Sequence, residues 1–439
     1  MSTPKNLTRV ILAASAGNAL EFFDFTVFGY FAIQIAAAFF PAHSQYASML
    51  ATWATYGTAF LARPVGALVL GSYADRVGRR AAMTAAILLM TGGTFLMAAM
   101  PPYSAIGPLA PAGILIARLL QGFSAGGEFG GATAFMMEHA PGRRGFFASF
   151  QFISQAVATV AGASTALLVN ELLTPADMAS WGFRVPFAVG LLIGPVGLYL
   201  RRHVDETPVF LHSTHSAAPA LQALRHAPGR VLLGAGLIAG GTAATYIAIY
   251  LPTYAQHELH MPVGDSFLAP ILGAIVALVV TPVVAAASDR LGRVRPMILF
   301  AILLAASSIP AFMVVNASPR LGTLVAMTLL IGVLRAAYSA PMPALLAELF
   351  PPSMRAVGMS AAYSGGVVVF GGLAPLICTW LIGATGDRTA PGWYLAACAC
   401  ISHAAVLAIG GRVQLYTDRE EGQGSALDPL GPEAPDPIH

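Results

Sequence analysis

Apolar segments of roughly 20 residues, each long enough to cross a hydrocarbon core, recur twelve times along this chain. They run over about 10–34, 47–72, 81–100, 111–138, 146–170, 183–200, 230–255, 264–287, 296–315, 321–347, 355–383 and 393–412. Inside a bilayer every backbone N–H and C=O needs a partner within the protein, and a segment of this length meets that demand as a helix. The expected fold class is therefore an all-α polytopic membrane protein of 12 transmembrane helices. Composition agrees: charged residues are 10% of the chain and hydrophobic ones 56%, against about 25% charged in soluble domains. The first segment is too long for a signal-peptide core and shows no small-residue cleavage site before its first charges, so it reads as a retained helix.

The net charge of +3 says little; the placement of the basic residues says more. Seventeen of the 23 lysines and arginines fall at the two termini or in alternate loops. By the positive-inside rule both termini are cytoplasmic, which an even number of spans also requires. The chain repeats itself as well. Asp75-Arg-Val-Gly-Arg79 after the second span returns as Asp289-Arg-Leu-Gly-Arg293 after the eighth, and Glu138-His-Ala-Pro141 after the fourth is echoed by Glu348-Leu-Phe-Pro351 after the tenth. Two homologous six-helix bundles follow, over 1–200 and 230–413, joined by a polar cytoplasmic loop at 201–229. Repeats of this kind place substrate between the halves, near the midplane. The tail at 414–439, rich in Gly, Pro and acid, is expected to be disordered.

Against this background the stretch Arg118–Gly131, RLLQGFSAGGEFGG, is unusual. Arg118, Gln121, Ala125 and Glu128 share one helical face, and Gly122, Gly126, Gly127, Gly130 and Gly131 provide small-xxx-small spacings that let another backbone approach, here expected to be the first helix. Ionisable groups at membrane depth are costly and mark pathways for ions or substrate. At ~1.5 Å rise per residue, Asp24 and Arg118 come out at one depth, and Glu21 and Glu128 at another. Asp24 is accordingly paired with Arg118, and Glu21 with Glu128, where two carboxylates in a poorly hydrated site cannot both ionise cheaply and one holds a proton. The bland alternative is a satisfied structural network. In the second half Arg335 lies near mid-depth with Tyr338 one turn on, a pair able to grip a carboxylate by a guanidinium fork. Pro341 and Pro343 should kink or break the helix just beyond them. Thr242, Thr245 and Tyr246 share a face of the seventh span, as substrate ligands or as an interhelical polar contact. Arg63 reads as structurally paired, Gln151 and Gln155 as candidate cavity lining, and His403 as a packing histidine.

Twelve spans in two halves, with GSYADRVGRR (71–80) and RLLQGFSAG (118–126), resemble the major facilitator superfamily. Within it, GNALEFFDFTVFG (17–29), RPVGA (63–67), GGEFGG (126–131), WGFRVPF (181–187) and ELFPPSMRAVG (348–358) resemble the metabolite:proton symporters of bacterial inner membranes. PTY (252–254), FGGLAP (370–375) and TGDRTAPGWY (385–394) are most similar to the citrate and tricarballylate members. The resemblance implies alternating access with a small carboxylate and H⁺ as partners. The loop motif Gly71, Asp75, Arg76, Gly78 and Arg79, and its copy Asp289, Arg290, Gly292 and Arg293, are expected to gate the cytoplasmic side, with Gly71 permitting tight packing and the charges meeting helix ends.

Substrate-binding candidates are therefore Arg118, Gln121, Arg335, Tyr338, Thr245 and Tyr246, and proton-coupling candidates Asp24, Glu128 and Glu21. The expected function is proton-coupled uptake of a small polycarboxylate such as citrate or tricarballylate. Alternatives are 2-oxoglutarate, another organic acid or an osmolyte as substrate, proton-driven drug efflux, or a non-transporting nutrient sensor. No enzyme chemistry is expected, since no nucleophile–base set, metal-ligand cluster or phosphate loop stands out. No cofactor, metal or nucleic-acid partner is expected; the lipid bilayer is, around a monomer. Cys378, Cys398 and Cys400 read as packing residues.

Overall fold

A computed structural model describes residues 4–77, 79–126, 142–191, 227–351 and 354–412, with Thr133, Met136, Met137 and Pro195 between them. Among these residues the regular structure is helical throughout. The elements that position the site are α1 (Pro4–Tyr30), α2 (Ala32–Phe39), α3 (Gln45–Val77), α4 (Arg79–Ala99), α5 (Leu109–Ser124), α6 (Phe150–Leu172) and α7 (Val185–Leu191) in the first half. The second half supplies α8 (Pro228–His257), α9 (Val263–Leu291), α10 (Val294–Ala317), α11 (Leu321–Ser339), α12 (Met342–Glu348), α13 (Arg355–Gly366), α14 (Ala374–Thr385) and α15 (Ala390–Arg412).

Seven described helices are long and apolar enough to cross a membrane, or eight when α1 and α2, bent by 66° at Phe31, count as one broken span. Three shorter apolar helices and the 33-residue α3 fill the remaining places in the twelvefold pattern. The expected break in the tenth span falls where the prolines put it: α11 ends at Ser339, Pro341 caps α12, and Pro343 sits in its first turn. The eleventh span departs from expectation. Between α13 and α14 the chain widens into a π-helical turn, Val367–Gly372, where an i→i+5 ladder replaces the regular one. The proposed linker at 201–229 falls almost wholly outside the described residues, and so does the tail beyond Arg412.

Helices α1 and α3–α7 pack among themselves, as do α8–α15. The two groups meet along α1 with α8, α6 with α9, and α3 with α14 and the π turn. Glycines determine how closely α3 and α5 approach. A Cβ at Gly122 would collide with the Ala59 carbonyl, one at Gly126 with the Arg63 carbonyl, and one at Gly66 with the Phe123 carbonyl. The small residues of RLLQGFSAG thus bring in the second span, not the first as expected from sequence. Gly71 needs another explanation too, because a Cβ there would meet nothing among the described residues.

Candidate functional site

Arg118 is fully buried on α5, and a buried guanidinium needs compensation for its lost hydration. The cation lies over the rings of Phe25 and Phe28 at 4.6 Å each and Tyr56 at 4.9 Å, a geometry that favours the cation through the ring quadrupoles. Its Nη1 donates to Gln121 Oε1 at 2.8 Å, one helical turn on. Gln121 Nε2 in turn donates to Thr94 Oγ1 at 3.1 Å and to Asp24 Oδ2 at 3.4 Å, and Thr94 donates to the same carboxylate oxygen. The expected Asp24–Arg118 pair is therefore relayed through Gln121 rather than made directly. It is also incompletely satisfied: Asp24 Oδ1, Arg118 Nε and Arg118 Nη2 are buried with no hydrogen-bond partner among the described residues. Buried donors and acceptors left without partners at membrane depth are costly.

Glu21 is held by Arg63, with Nη2 to Oε1 at 2.6 Å, and the guanidinium packs over Phe25 and Phe60. The sequence paired Glu21 with Glu128 instead. Glu128 lies outside the described residues, and Glu21 already has a counter-charge. Arg63 is thus the structurally paired cation of the second span. Arg63 thus has a carboxylate partner and Arg118 reaches one through Gln121.

Arg335 is different. It is half-buried on α11 and lines a cavity between the two helix groups, together with Phe22, Gln155, Thr159, Thr245 and Thr328. The cavity holds about 50 Å³ of space for the centres of water molecules, room for only a few of them at roughly 10–15 Å³ each. Arg335 Nη1 donates to Thr245 Oγ1 at 3.2 Å, while Thr245 donates to the Gly241 carbonyl at 2.9 Å. No carboxylate pairs with Arg335 among the described residues. Gln155 reaches across to Tyr363, with Nε2 3.5 Å from its hydroxyl.

Tyr338 and Tyr246 are placed away from this cavity. The Tyr338 side chain is fully buried and its hydroxyl donates to the Leu237 carbonyl on α8, so it does not join Arg335 in a clamp. Tyr246 packs edge-on against Phe60 at 5.1 Å between centroids, with Phe22 and Tyr56 each at 6.4 Å. It belongs to the aromatic seam between the halves, in which Trp53 also meets Tyr250 at 5.6 Å. Thr245, one residue earlier, is the member of that pair at the cavity. His403 stands apart from the site, and so do the cysteines.

At one end of the molecule the second copy of the loop motif latches one helix group to the other. Gly292, at φ +86, ends α9 in the left-handed region glycine tolerates. Asp289, in the last turn of α9, faces the other helix group, where its carboxylate accepts from the backbone N–H of Gly145 at 2.8 Å and Phe146 at 3.0 Å. Those amides open a helix, so its dipole adds to the attraction. Arg293 lies 3.5 Å from Asp289 Oδ1 and pairs with Glu348 at 2.9 Å, while Arg290 is exposed. In the first copy Gly78 and the side chains of Asp75, Arg76 and Arg79 lie outside the described residues. At the other end TGDRTAPGWY is structural: Asp387 accepts from Thr389 N at 2.8 Å, and the Arg388 carbonyl accepts from Tyr254 at 2.9 Å. Hydrogen bonds from Thr389 hold the Asp387 carboxyl below its usual range.

Sequence reasoning missed Thr94 and the aromatic cage. The FFDFTVFGY run that supplies Phe25 and Phe28 was visible, but its role depends on which helix faces it.

A sequence profile of the Major Facilitator Superfamily matches residues 14–327 and 271–426. The chain is 40% identical over 389 residues to a citrate-proton symporter of Klebsiella pneumoniae, covering 88% of each chain. It is 34% identical over 410 residues to a proline/betaine transporter of Salmonella typhimurium, covering 90% of this chain and 82% of that one. Among solved structures, a proton:xylose symporter bound to 6-bromo-6-deoxy-D-glucose superposes with a TM-score of 0.76 at 16% identity, over 94% of this chain and 97% of that chain. At that identity the likeness concerns the fold alone.

Proposed function

Because this chain belongs to the Major Facilitator Superfamily, we propose that it is a secondary transporter that takes up a small polycarboxylate, citrate or tricarballylate foremost, together with H⁺. The observation that carries the reading is Arg335, a cation in a cavity between the halves whose one described polar partner is the neutral hydroxyl of Thr245. A guanidinium held by one N–H leaves its fork free for a carboxylate. The citrate-proton symporter relative supports the choice of substrate.

Uptake of an anion against a negative-inside potential costs ~2.3 kcal/mol per charge per 100 mV, so a di- or trianion needs cotransported cations. Asp24 is the proton carrier in this reading. When ionised it is held by Gln121 and Thr94, with Arg118 behind; when protonated it no longer needs Arg118, and the relay through Gln121 loosens. Arg335 meets substrate, and Arg118 serves the proton. The bundles are residues 1–200 and 230–413, joined by 201–229, with 414–439 as a tail. The latch end, rich in arginine, faces the cytoplasm with both termini, in a bacterial inner membrane. The protein works as a monomer, and Asp289 holds the cytoplasmic side shut until the halves rock.

The test is uptake of labelled citrate into proteoliposomes with an alkaline interior. Accumulation should follow the pH gradient and collapse with a protonophore. A sodium requirement without proton dependence overturns the proposal. A second reading, supported by the proline/betaine relative, gives Arg335 the carboxylate of a zwitterion; competition by betaine but not tricarballylate selects it.

A further inference from the structure

Tyr30 ends α1, the helix that also carries Glu21 and Asp24. Its side chain is buried, yet its hydroxyl has no hydrogen-bond partner among the described residues; the same holds for Thr26 Oγ1, one turn earlier on the same face. Two orphan hydroxyls on one helical face are a cost that a folded protein normally avoids. The Tyr30 ring crosses between the halves, packing edge-on against Phe267 of α9 at 5.7 Å. Phe267 lies one turn before Pro270, which lines the Arg335 cavity with Gly273 and Ala274. Thr159 and Gln155 line the same cavity from α6, and a Cβ at Gly162, one turn beyond Thr159, would stand 3.8 Å from Tyr30 Cε2 and 3.1 Å from Thr26 Cγ2. Tyr30 thus sits one helical turn outside the cavity lining on both α9 and α6, toward the end opposite the Asp289 latch. A buried phenol O–H without an acceptor among the described residues, next to a cavity whose guanidinium has no carboxylate partner among them, makes two donors that one carboxylate in the cavity satisfies.

We infer that Tyr30 is the second arm of the anion site: its hydroxyl donates to the carboxylate gripped by Arg335, from the opposite half of the molecule, and closes the cavity over it. The inference rests on the polycarboxylate reading above and extends it. The Arg335 fork is present in one half whatever the state, whereas the Tyr30 contact forms only when the halves meet on this side. Tyr30 therefore makes occlusion depend on a carboxylate of the right reach. It also places the substrate contact six residues along α1 from the proton site at Asp24, so a shift of one helix moves both.

The experiment uses the full chain with Tyr30→Phe. The hydroxyl has no partner among the described residues, so its loss removes no described hydrogen bond; the melting temperature without substrate should be unchanged or higher. Labelled citrate and tricarballylate counterflow in proteoliposomes should show the half-saturation concentration raised by about tenfold, as for loss of one hydrogen bond to a charged group. The stabilisation of the detergent-solubilised protein by citrate should fall in parallel. In an Arg335→Lys background the further effect of Tyr30→Phe should be less than about threefold, because residues that grip one carboxylate share a partner and are non-additive. Unchanged half-saturation and unchanged citrate stabilisation in Tyr30→Phe overturn the inference, and so does a lowered melting temperature with normal citrate response, which is the mark of a packing role. If the wild type exchanges neither carboxylate, the substrate reading falls and this inference with it; if the wild type exchanges and Tyr30→Phe matches it, only the inference falls.

Discussion

Gln121 joins Arg118 to Asp24, accepting from the guanidinium at 2.8 Å through its amide oxygen and donating to the carboxylate at 3.4 Å through its amide nitrogen. The cation and the carboxylate in the first half therefore communicate through an amide that has a polar end for each. Replacing it with Gln121→Leu removes the described hydrogen bond of Arg118 and leaves Asp24 with Thr94 alone, at about 1–3 kcal/mol for a buried group left unsatisfied. Citrate counterflow should stay within about threefold of wild type, while accumulation driven by a pH gradient drops at least about tenfold. Parallel initial-rate assays under the two driving conditions check this.

Arg335 has the contrasting profile. Arg335→Gln removes the charge facing the cavity and should raise the half-saturation concentration for citrate by roughly a hundredfold, in line with the 2–5 kcal/mol of a lost buried charge contact. Arg335→Lys should recover part of this, since an ammonium keeps the charge but not the fork. Binding isotherms on the detergent-solubilised protein provide the measurement.

The latch at Asp289 predicts a change in access rather than affinity. Asp289→Ala deletes acceptors for two backbone amides at a helix start and the farther of two carboxylates beside Arg293, worth about 1–2 kcal/mol together. With the native cysteines replaced, a cysteine at buried Ser149 should react with a maleimide from the cytoplasmic face about five- to thirtyfold faster in this variant.

Close packing of α5 on α3 gives a stability prediction. Gly122→Ala sets a methyl against the Ala59 carbonyl, and overpacking of this kind costs about 1–3 kcal/mol. Thermal unfolding in detergent should show a clear fall in melting temperature, and Gly71→Ala, with open space around it, should show little.

The twelve spans, the two halves and the identity of the charged groups were legible because hydropathy and motif repetition are local properties of the sequence. Depth counting also put Asp24 and Arg118 at one level. Partner choice was not legible. Arg63 and Glu21 are 42 residues apart, and Thr94 and Asp24 are 70 apart, so only the packing of helices decides that Glu21 faces Arg63 and that Gln121 stands between Asp24 and Arg118. The same limit applies to Tyr338, whose spacing from Arg335 suggested a shared grip. On the helix its hydroxyl instead finds the Leu237 carbonyl. The π turn at Val367–Gly372 gave no sequence warning beyond its glycines, which press against Tyr246 and Phe60.

The division of labour between the two cations is tested most directly by measuring labelled-citrate exchange and pH-gradient-driven citrate accumulation side by side in Asp24→Asn and Arg335→Gln proteoliposomes. The account predicts that Asp24→Asn exchanges citrate but fails to accumulate it, while Arg335→Gln loses both. Normal exchange in Arg335→Gln, or proton-driven accumulation that survives in Asp24→Asn, would contradict it.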